Sequence, residues 1–229
     1  MIHFPCQEVY LLNLYERQDK FDKMMEKLGY MGINVIPFRT VKHPFYDKIV
    51  SDIKHKTFGI NNNGVFSCTR EHYTIIKGAY LRGLSSVGIM EDDCSFLKDK
   101  LEWEKHFNNL PNDWDVLRVN CLRGDHEEWY DENKFWLKTD RNISGTGFYI
   151  LNRKAMEYII SFIDNVYVPI DYPLEYANNK GHLNIYLPKN ELSLCIEDEK
   201  TWSSDIRKTI DEPHKFYLSI KRFNKNNYI

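Results

Sequence analysis

Two short apolar runs separated by a helical pattern open the chain, and this order constrains the fold more than any other feature. Residues 9–14 (VYLLNL) and 34–38 (NVIPF) have the length and composition of buried strands. Four apolar residues recur between them at helical spacing, namely Phe21, Met24, Met25 and Leu28. Gly29 follows them, where a helix would end. A strand, a helix and a strand in this order predict a β-α-β unit, the seed of a parallel sheet.

The rest of the chain continues to alternate between strand and helix patterns. The longest helix candidate covers residues 65–84, and a strand follows at residues 86–90. Further strands are predicted at residues 116–119, 147–151, 184–187 and 192–196. Helices are predicted at residues 101–110, after the capping residue Asn152, and after residue 171. Residues 43–63 are predicted as a long loop that could include one helical turn, and residues 123–140 as a loop or a hairpin. No repeat or linker interrupts the pattern, which predicts one α/β domain over residues 1–229, with a mixed, mostly parallel sheet flanked by helices.

Composition and charge argue against several classes of protein. The formal net charge of −2 is unlike the basic excess of most nucleic-acid binders, so we expect no nucleic-acid partner. The five cysteines are widely spaced without a CxxC pair, which favours reduced thiols in a cytoplasmic protein over a disulfide framework. No run approaches the roughly 20 apolar residues of a membrane span, and the first residues do not resemble a secretory signal.

The C-terminal residues from about 213 onward are basic and aromatic. No acidic residue follows Glu212, while Lys215, Lys221, Arg222 and Lys225 alternate with apolar and aromatic residues. Such a tail could rest on the anionic inner face of a membrane. The alternative is a last helix or strand that packs on the domain and exposes its lysines to solvent.

Three consecutive carboxylates follow a predicted buried strand in the sequence VGIMEDDCSF of residues 87–96. Adjacent like charges repel and resist burial unless a cation lies between them. Ligands of open α/β sheets collect outside the carboxyl ends of the strands, where Glu91, Asp92 and Asp93 are expected. In an extended segment Glu91 and Asp93 project to one side and Asp92 to the other. The acids could hold Mg²⁺ or Mn²⁺ on a nucleotide diphosphate, or one of them could accept hydrogen bonds from a ribose. The structural alternative is a solvated loop at the strand end whose acids cap the next helix.

Arg17, His72 and Asp171 are the other candidate site residues, and each has a plain structural alternative. Arg17 closely follows the first strand, so it could meet a phosphate or a base, or be a surface residue of the first helical turn. His72 is on the apolar face of the 65–84 helix, either as a functional group or as a core histidine. Asp171 lies between two prolines in VPIDYP, where it could be a helix N-cap or a rigidly held general base.

Short motifs in a definite order resemble glycosyltransferase family 25, which includes bacterial lipooligosaccharide galactosyltransferases and collagen hydroxylysine galactosyltransferases. Residues 89–93 (IMEDD) look like the family's "LEDD" signature. Residues 64–72 (GVFSCTREH) look like its "GExGCxLSH" segment, matching at the Gly, Cys and His. Shorter resemblances lie at residues 9–17, 115–117, 147–151, 169–171 and 204–206. The chain departs from the family pattern at Val65, Ser67 and residues 70–71, and it has no carboxylate at residues 39–42.

This resemblance implies a GT-A type, Rossmann-like domain that uses a UDP-sugar and a divalent metal, Mn²⁺ or Mg²⁺. It implies inverting transfer of a hexose, with galactose the first candidate and glucose the second, to a hydroxyl of a glycan or a protein. On this basis we assign the metal to Asp93 and Glu91, and donor binding to Glu91, Asp92, Arg17 and His72. We assign the role of general base to Asp171, because an inverting base must lie across the sugar from the phosphates.

Two other functions compete with this one. A metal-dependent phosphoesterase could use the same acids, but the eight histidines form no HxD or HxxxH cluster for a two-metal site. The departures between Val65 and Arg70 favour a second alternative, a nucleotide-sugar or carbohydrate-binding module of the same fold with impaired catalysis. Release of UDP from UDP-sugars separates an enzyme from such a module.

Overall fold

The computed structural model describes residues 2–46, 48–49, 60, 63–119, 134–138, 145–189 and 194–197. The described strands are β1 (Glu8–Leu14), β2 (Ile36–Thr40), β3 (Ser86–Glu91), β4 (Cys94–Phe96), β5 (Val116–Arg118), β6 (Trp136–Lys138), β7 (Phe148–Asn152), β8 (Ile185–Pro188) and β9 (Cys195–Glu197). The described α-helices are α1 (Gln18–Met31), α2 (Asn63–Leu81), α3 (Lys100–Phe107), α4 (Arg153–Asn165) and α5 (Asp171–Lys180). A short 3₁₀ turn, Tyr15–Arg17, joins β1 to α1.

Seven of these strands form one mixed sheet in the order β2-β1-β3-β7-β5-β8-β6. Strand β1 is parallel to both β2 and β3, and β5 is parallel to β8, whereas β7 and β6 run antiparallel to their neighbours. Five of the seven strands therefore point in one direction. A separate antiparallel pair, β4 with β9, brings the total to four antiparallel and three parallel pairings. The predicted α/β class with a mixed sheet is confirmed.

Helices cover both faces of the sheet, because alternate side chains of its central strands are buried on opposite sides. One apolar core joins Leu11 and Met90 to residues of α1 and α3, including Leu28 and Trp103. The other joins Ile89 and Tyr149 to residues of α2, α4 and α5. The order of layers is therefore helix, sheet, helix.

Strand β3 lies in the middle of this arrangement, and its alternation decides where the acids point. Val87 and Ile89 pack on the side of α2, whereas Met90 packs on the side of α1. Gly88 is closely packed, because a Cβ there would lie 3.2 Å from a methyl of Val9 and would require that side chain to shift. Continuing the period of two sends Glu91 toward α2 and Asp92 toward α1. The expectation that the neighbouring acids project to opposite sides follows directly from this register.

Several predicted boundaries differ from the structure. Helix α1 continues through Gly29 and ends at Gly32, which adopts a left-handed φ of 66° and donates its N–H to carbonyls of the last turn. The second strand is Ile36–Thr40, displaced toward the C-terminus because it pairs in register with β1. The predicted cap is confirmed: the Asn152 side chain accepts a hydrogen bond of 2.9 Å from the Ala155 N–H.

Two short strands were missed by the sequence patterns, and other predictions fall on residues that the structure does not describe. β4 immediately follows the acids, and β6 lies inside residues 123–140, which were predicted only as a loop or a hairpin, and pairs with β8. Both are only three residues long, too short for a period-two pattern to be recognised. The basic tail from about residue 213 and the motif at residues 204–206 lie outside the described residues. Within the described part of the chain, no helix has the length and apolar character of a membrane span.

Candidate active site

Glu91 ends the central strand β3 and faces helix α2, at the carboxyl edge of the sheet. Its backbone N–H donates a 2.7 Å hydrogen bond to the Gly147 carbonyl, which holds the strand end against β7. The carboxylate accepts a 2.6 Å hydrogen bond from the Thr146 hydroxyl, and its Oε1 lies 3.3 Å from His72 Nε2. Burial alone would raise the pKa of Glu91, but His72, Thr146 and the charge of Arg17 together hold it below its usual value. Glu91 is therefore an ionised acid with 25% of its side chain still exposed.

Asp92 points the other way, into a polar cluster at the ends of β1 and β2. The Asn13 side chain donates a 2.6 Å hydrogen bond to one carboxylate oxygen, and Arg17 forms a 2.9 Å ion pair with the other. Leu12 of β1 is in register with Glu91 of β3. The residues that follow them, Asn13 and Asp92, are therefore neighbours, and this brings the Asn13 side chain within hydrogen-bonding distance of the Asp92 carboxylate. Arg39 Nε donates a 3.1 Å hydrogen bond to the side-chain Oδ1 of Asn13, which extends the cluster to β2. Burial raises the pKa of Asp92, against the opposing effects of Arg17 and Asn13.

Asp93 lies in the turn after β3, and one of its carboxylate oxygens is shielded from solvent. Its charge acts on the Cys68 thiol of helix α2, as do the charges of Glu91 and Asp171. Burial first, and then these carboxylates, raise the pKa of Cys68 well above its usual value. Glu91, Asp93 and Asp171 therefore converge on one side of the sheet, although they come from distant parts of the sequence.

His72 is fully buried between α2 and the sheet, and both of its ring nitrogens face polar atoms. Nδ1 lies 2.7 Å from the Tyr149 hydroxyl, and the two rings stack with centroids 5.6 Å apart. Nε2 faces Glu91. Cys68 precedes His72 by four residues on α2 and so lies on the same face, beside the same carboxylate.

Asp171 is the first residue of α5 rather than its N-cap, which is Ile170. Its carboxylate accepts hydrogen bonds from its own backbone N–H and from that of Gly145, whose φ of 90° belongs to the left-handed region. Burial nevertheless raises the pKa of Asp171, and the charge of Glu91 adds to this effect. Arg118 opposes the shift, so a cation lies near the acid. A raised pKa is appropriate for a group that must accept a proton.

Glu175 lies one helical turn after Asp171 and is also buried. Burial and the charge of Asp171 raise the pKa of Glu175 to about 8, against the opposing charge of Arg118. Arg118 itself is only 1% exposed. Glu91, Asp93 and Asp171 thus lie near one another on this face with Arg118 beside Asp171, whereas Glu175, with its raised pKa, stays protonated and neutral at pH 7.

A cavity of about 90 Å³ opens along the edge of the sheet where these elements meet. Its walls include Arg17 and Asp92 on one side and Cys68, Glu71 and Glu91 on the other. Lys42 adds a second basic side chain to the lining. Carboxylates next to basic groups around one opening suit a ligand that carries anionic oxygens together with a cation.

The structure brings the predicted residues Arg17, His72, Glu91, Asp92 and Asp93 to one edge of the sheet, and Asp171 lies near enough for the charge of Glu91 to raise its pKa. The roles assigned to them stay predictions. Sequence reasoning missed Asn13, Cys68, Thr146, Arg118 and Glu175 as members of the site. Cys68 could have been found, because it shares a helix face with His72. Glu175 gave no signal, since an acid in a short polar helix resembles a surface residue.

No protein-family model matches the sequence, and no curated protein matches it. Among solved structures, the crystal structure of A197 from STIV is similar at 11% identity, covering 79% of this chain and 81% of that one, with a TM-score of 0.40. A glycosyltransferase involved in the glycosylation of the major capsid of PBCV-1 is similar at 8% identity, covering 83% of this chain and 92% of that one, with a TM-score of 0.42. A distant structural neighbour of the chain is therefore a glycosyltransferase.

Proposed function

We propose that the chain is an inverting glycosyltransferase that moves a hexose from a UDP-sugar to a hydroxyl of a glycan or a protein. The observation that carries the proposal is the convergence of Glu91 and Asp93, at the end of the central strand, with Asp171 on the same side of the sheet. Two acids for a cation and a separate acid for a proton are the groups that such a transfer needs. The motifs that resemble glycosyltransferase family 25 include these same residues.

The transfer is a direct displacement at the anomeric carbon. Asp171 takes the proton of the acceptor hydroxyl while the hydroxyl oxygen forms a bond to C1 of the sugar. The bond between C1 and the phosphate oxygen breaks, and UDP leaves with the electron pair. The raised pKa of Asp171, caused mainly by burial, makes its carboxylate a better proton acceptor than an exposed aspartate.

The residues at the strand end fit a divalent cation. Glu91 is held ionised and faces the cavity, and the charges of Asp93 and Asp171 act on the same Cys68 thiol as Glu91 does. Glu91 and Asp93 would hold Mn²⁺ or Mg²⁺, which when bound supplies positive charge to a departing diphosphate. Arg17 and Asp92 on the opposite wall would contact the donor. Ligand pockets are usually about 300–1,000 Å³, so the cavity of about 90 Å³ accounts only for the phosphate end of a donor.

Release of UDP from UDP-galactose and UDP-glucose, with Mn²⁺ or with EDTA, tests the proposal. We expect release with Mn²⁺, loss of release in EDTA, and loss in Asp93→Asn. Asp19→Asn, at an exposed position of α1, is the matched control and should behave as the wild type. Equal UDP release in EDTA and Mn²⁺, or full activity of Asp93→Asn, would contradict the metal assignment.

The competing function, a binding module with impaired catalysis, makes a different prediction in the same experiment. Such a module would be stabilised by UDP with Mn²⁺ in a thermal shift assay but would release no UDP from any sugar donor. The departures from the family pattern between Val65 and Arg70 favour this alternative, because that segment forms the start of α2 beside the cavity.

A further inference from the structure

Three side chains with metal-binding atoms converge between helix α2 and the end of β3. Cys68 and His72 are four residues apart on α2, so their side chains leave the same face of the helix. Glu91 projects toward them from the sheet. The Cys68 sulfur, a His72 ring nitrogen and a Glu91 carboxylate oxygen all lie within 4.8 Å of one another.

The Nε2 atom of His72 is a buried polar atom without a hydrogen bond. The side chain is 0% exposed, and although Glu91 Oε1 lies 3.3 Å away, the two atoms are not aligned for a hydrogen bond. A buried nitrogen that is left unsatisfied destabilises the fold. A bound ion would select the tautomer in which Nδ1 carries the ring proton and donates it to the Tyr149 hydroxyl, 2.7 Å away, so that Nε2 directs a lone pair at the ion rather than a proton toward Glu91.

The distance between these atoms is the one expected for two ligands of a single metal ion. Zinc binds histidine nitrogen and carboxylate oxygen at roughly 2.0–2.2 Å with tetrahedral geometry, which separates two such ligands by about 3.3–3.5 Å. The observed separation between His72 Nε2 and Glu91 Oε1 is 3.3 Å.

Two of the three ligands also form hydrogen bonds of the kind that orient the ligands in known metal sites. Histidine ligands of metals usually engage their second ring nitrogen in a hydrogen bond, as His72 does with Tyr149. Carboxylate ligands are also held by hydrogen bonds, and Thr146 donates one of 2.6 Å to Glu91. Cys68 and Glu91 both line the cavity, so an ion can reach them from solvent.

We propose that Cys68, His72 and Glu91 form a three-ligand site that selects Zn²⁺ and similar borderline ions over Mg²⁺ and Mn²⁺. Sulfur and imidazole ligands favour such ions, whereas Mg²⁺ requires oxygen ligands. Binding exchanges the thiol proton of Cys68 for the ion and releases that proton to solvent. Three protein ligands leave a fourth position open for an oxygen of water or of a ligand. The site shares the Glu91 carboxylate with the proposed Mn²⁺ or Mg²⁺ site of Glu91 and Asp93, so ions at the two sites would compete for it, but it is defined without a donor or an acceptor and does not depend on the transfer reaction.

Cobalt is the spectroscopic probe for this site, because Co²⁺ takes zinc-like geometry and a bound thiolate gives it a charge-transfer band in the near ultraviolet. We titrate the full chain, stripped of metal, with Co²⁺ and then displace the cobalt with Zn²⁺, Mn²⁺ or Mg²⁺. We expect one equivalent of Co²⁺ to produce the thiolate band together with tetrahedral visible bands. Zn²⁺ should displace it at concentrations at least ~10-fold below those of Mn²⁺.

Variants identify the ligands. Cys68→Ser should abolish the charge-transfer band, whereas the matched control Cys6→Ser, which alters a cysteine away from the site, should retain it. Tyr149→Phe should weaken Zn²⁺ binding by ~10–100-fold while keeping the band, as expected for a group that only orients a ligand.

The wild-type titration decides the proposal whether or not a variant folds. A cobalt spectrum without a thiolate band, a band that persists in folded Cys68→Ser, or Mg²⁺ competing as well as Zn²⁺ would each overturn it. Failure of the glycosyltransferase assay would leave this titration unaffected, so the two proposals fail separately.

Discussion

A buried glutamate beside the candidate base should make the stability of the protein fall as the pH rises. Burial, together with the charge of Asp171, raises the pKa of Glu175 from its ordinary value of 4.5 to about 8. The unfolded chain exposes Glu175 to water, so its pKa there is close to the ordinary value. Between these two pKa values the unfolded state has lost a proton that the folded state retains. The free energy of unfolding must therefore decrease with increasing pH over this interval and level off above it.

The size of the effect follows from the interval between the two values. A group protonated only in the folded state contributes a slope of about 1.4 kcal/mol per pH unit. An interval from 4.5 to about 8 gives a ceiling of about 5 kcal/mol. Relaxation of the helix and entry of water reduce this ceiling, so we expect about 2–3 kcal/mol between pH 5 and pH 8.

Glu175→Gln isolates this contribution, because the amide is neutral at every pH and has nearly the shape of the protonated acid. Urea unfolding followed by circular dichroism gives the free energy of unfolding of both proteins at pH 5, 6, 7 and 8. The variant should gain stability relative to the wild type by about 2–3 kcal/mol over this range. Glu157→Gln, at an exposed position of α4, is the matched control. A difference between Glu175→Gln and the wild type that is constant within about 0.5 kcal/mol would refute the reasoning.

Two further perturbations test the remaining groups of the site. Asp171→Asn should lower turnover by at least ~10²-fold, which is the scale expected for the loss of a general base, and should leave the thermal shift caused by UDP unchanged. A loss of UDP binding would instead assign Asp171 to the donor site. Arg17→Met should destabilise the fold by about 2 kcal/mol, because it leaves the buried Asp92 carboxylate without its ion-pair partner. This loss is smaller than that from breaking a fully buried ion pair, because the Arg17 side chain is 23% exposed. Adding Asp92→Asn should recover at least half of that loss in urea unfolding, and strictly additive effects of the two substitutions would argue against the pair.

The elements that sequence patterns predicted well are those with a long or strict period. The strand before the acids and the long helix after residue 63 were found because their apolar residues repeat clearly, and the helix face containing His72 was found with them. The opposite directions of Glu91 and Asp92 also followed from the strand period alone. The end of α1 was misplaced because both Gly29 and Gly32 are suitable end residues, and only the backbone conformation selects the second.

Contacts between distant segments could not be predicted in the same way. Asn13 meets Asp92 only because β1 and β3 are neighbours in one particular register. Arg118 and Glu175 belong to short segments whose residue types suggest the surface, and they are buried because the sheet brings β5 beside α5. Tyr149 was predicted only as a strand residue, although its hydroxyl fixes one nitrogen of His72.

Three adjacent carboxylates are tolerated at the end of β3 because the fold gives each a different environment. The strand period turns Asp92 to one side of the sheet, where Arg17 and Asn13 satisfy it. Glu91 goes to the other side and is held by His72 and Thr146. Asp93 lies beyond the strand, on the side of Cys68. Glu91, Asp93 and Asp171 thus all act on Cys68 from one side of the sheet, which is the reason we propose that this side binds a cation.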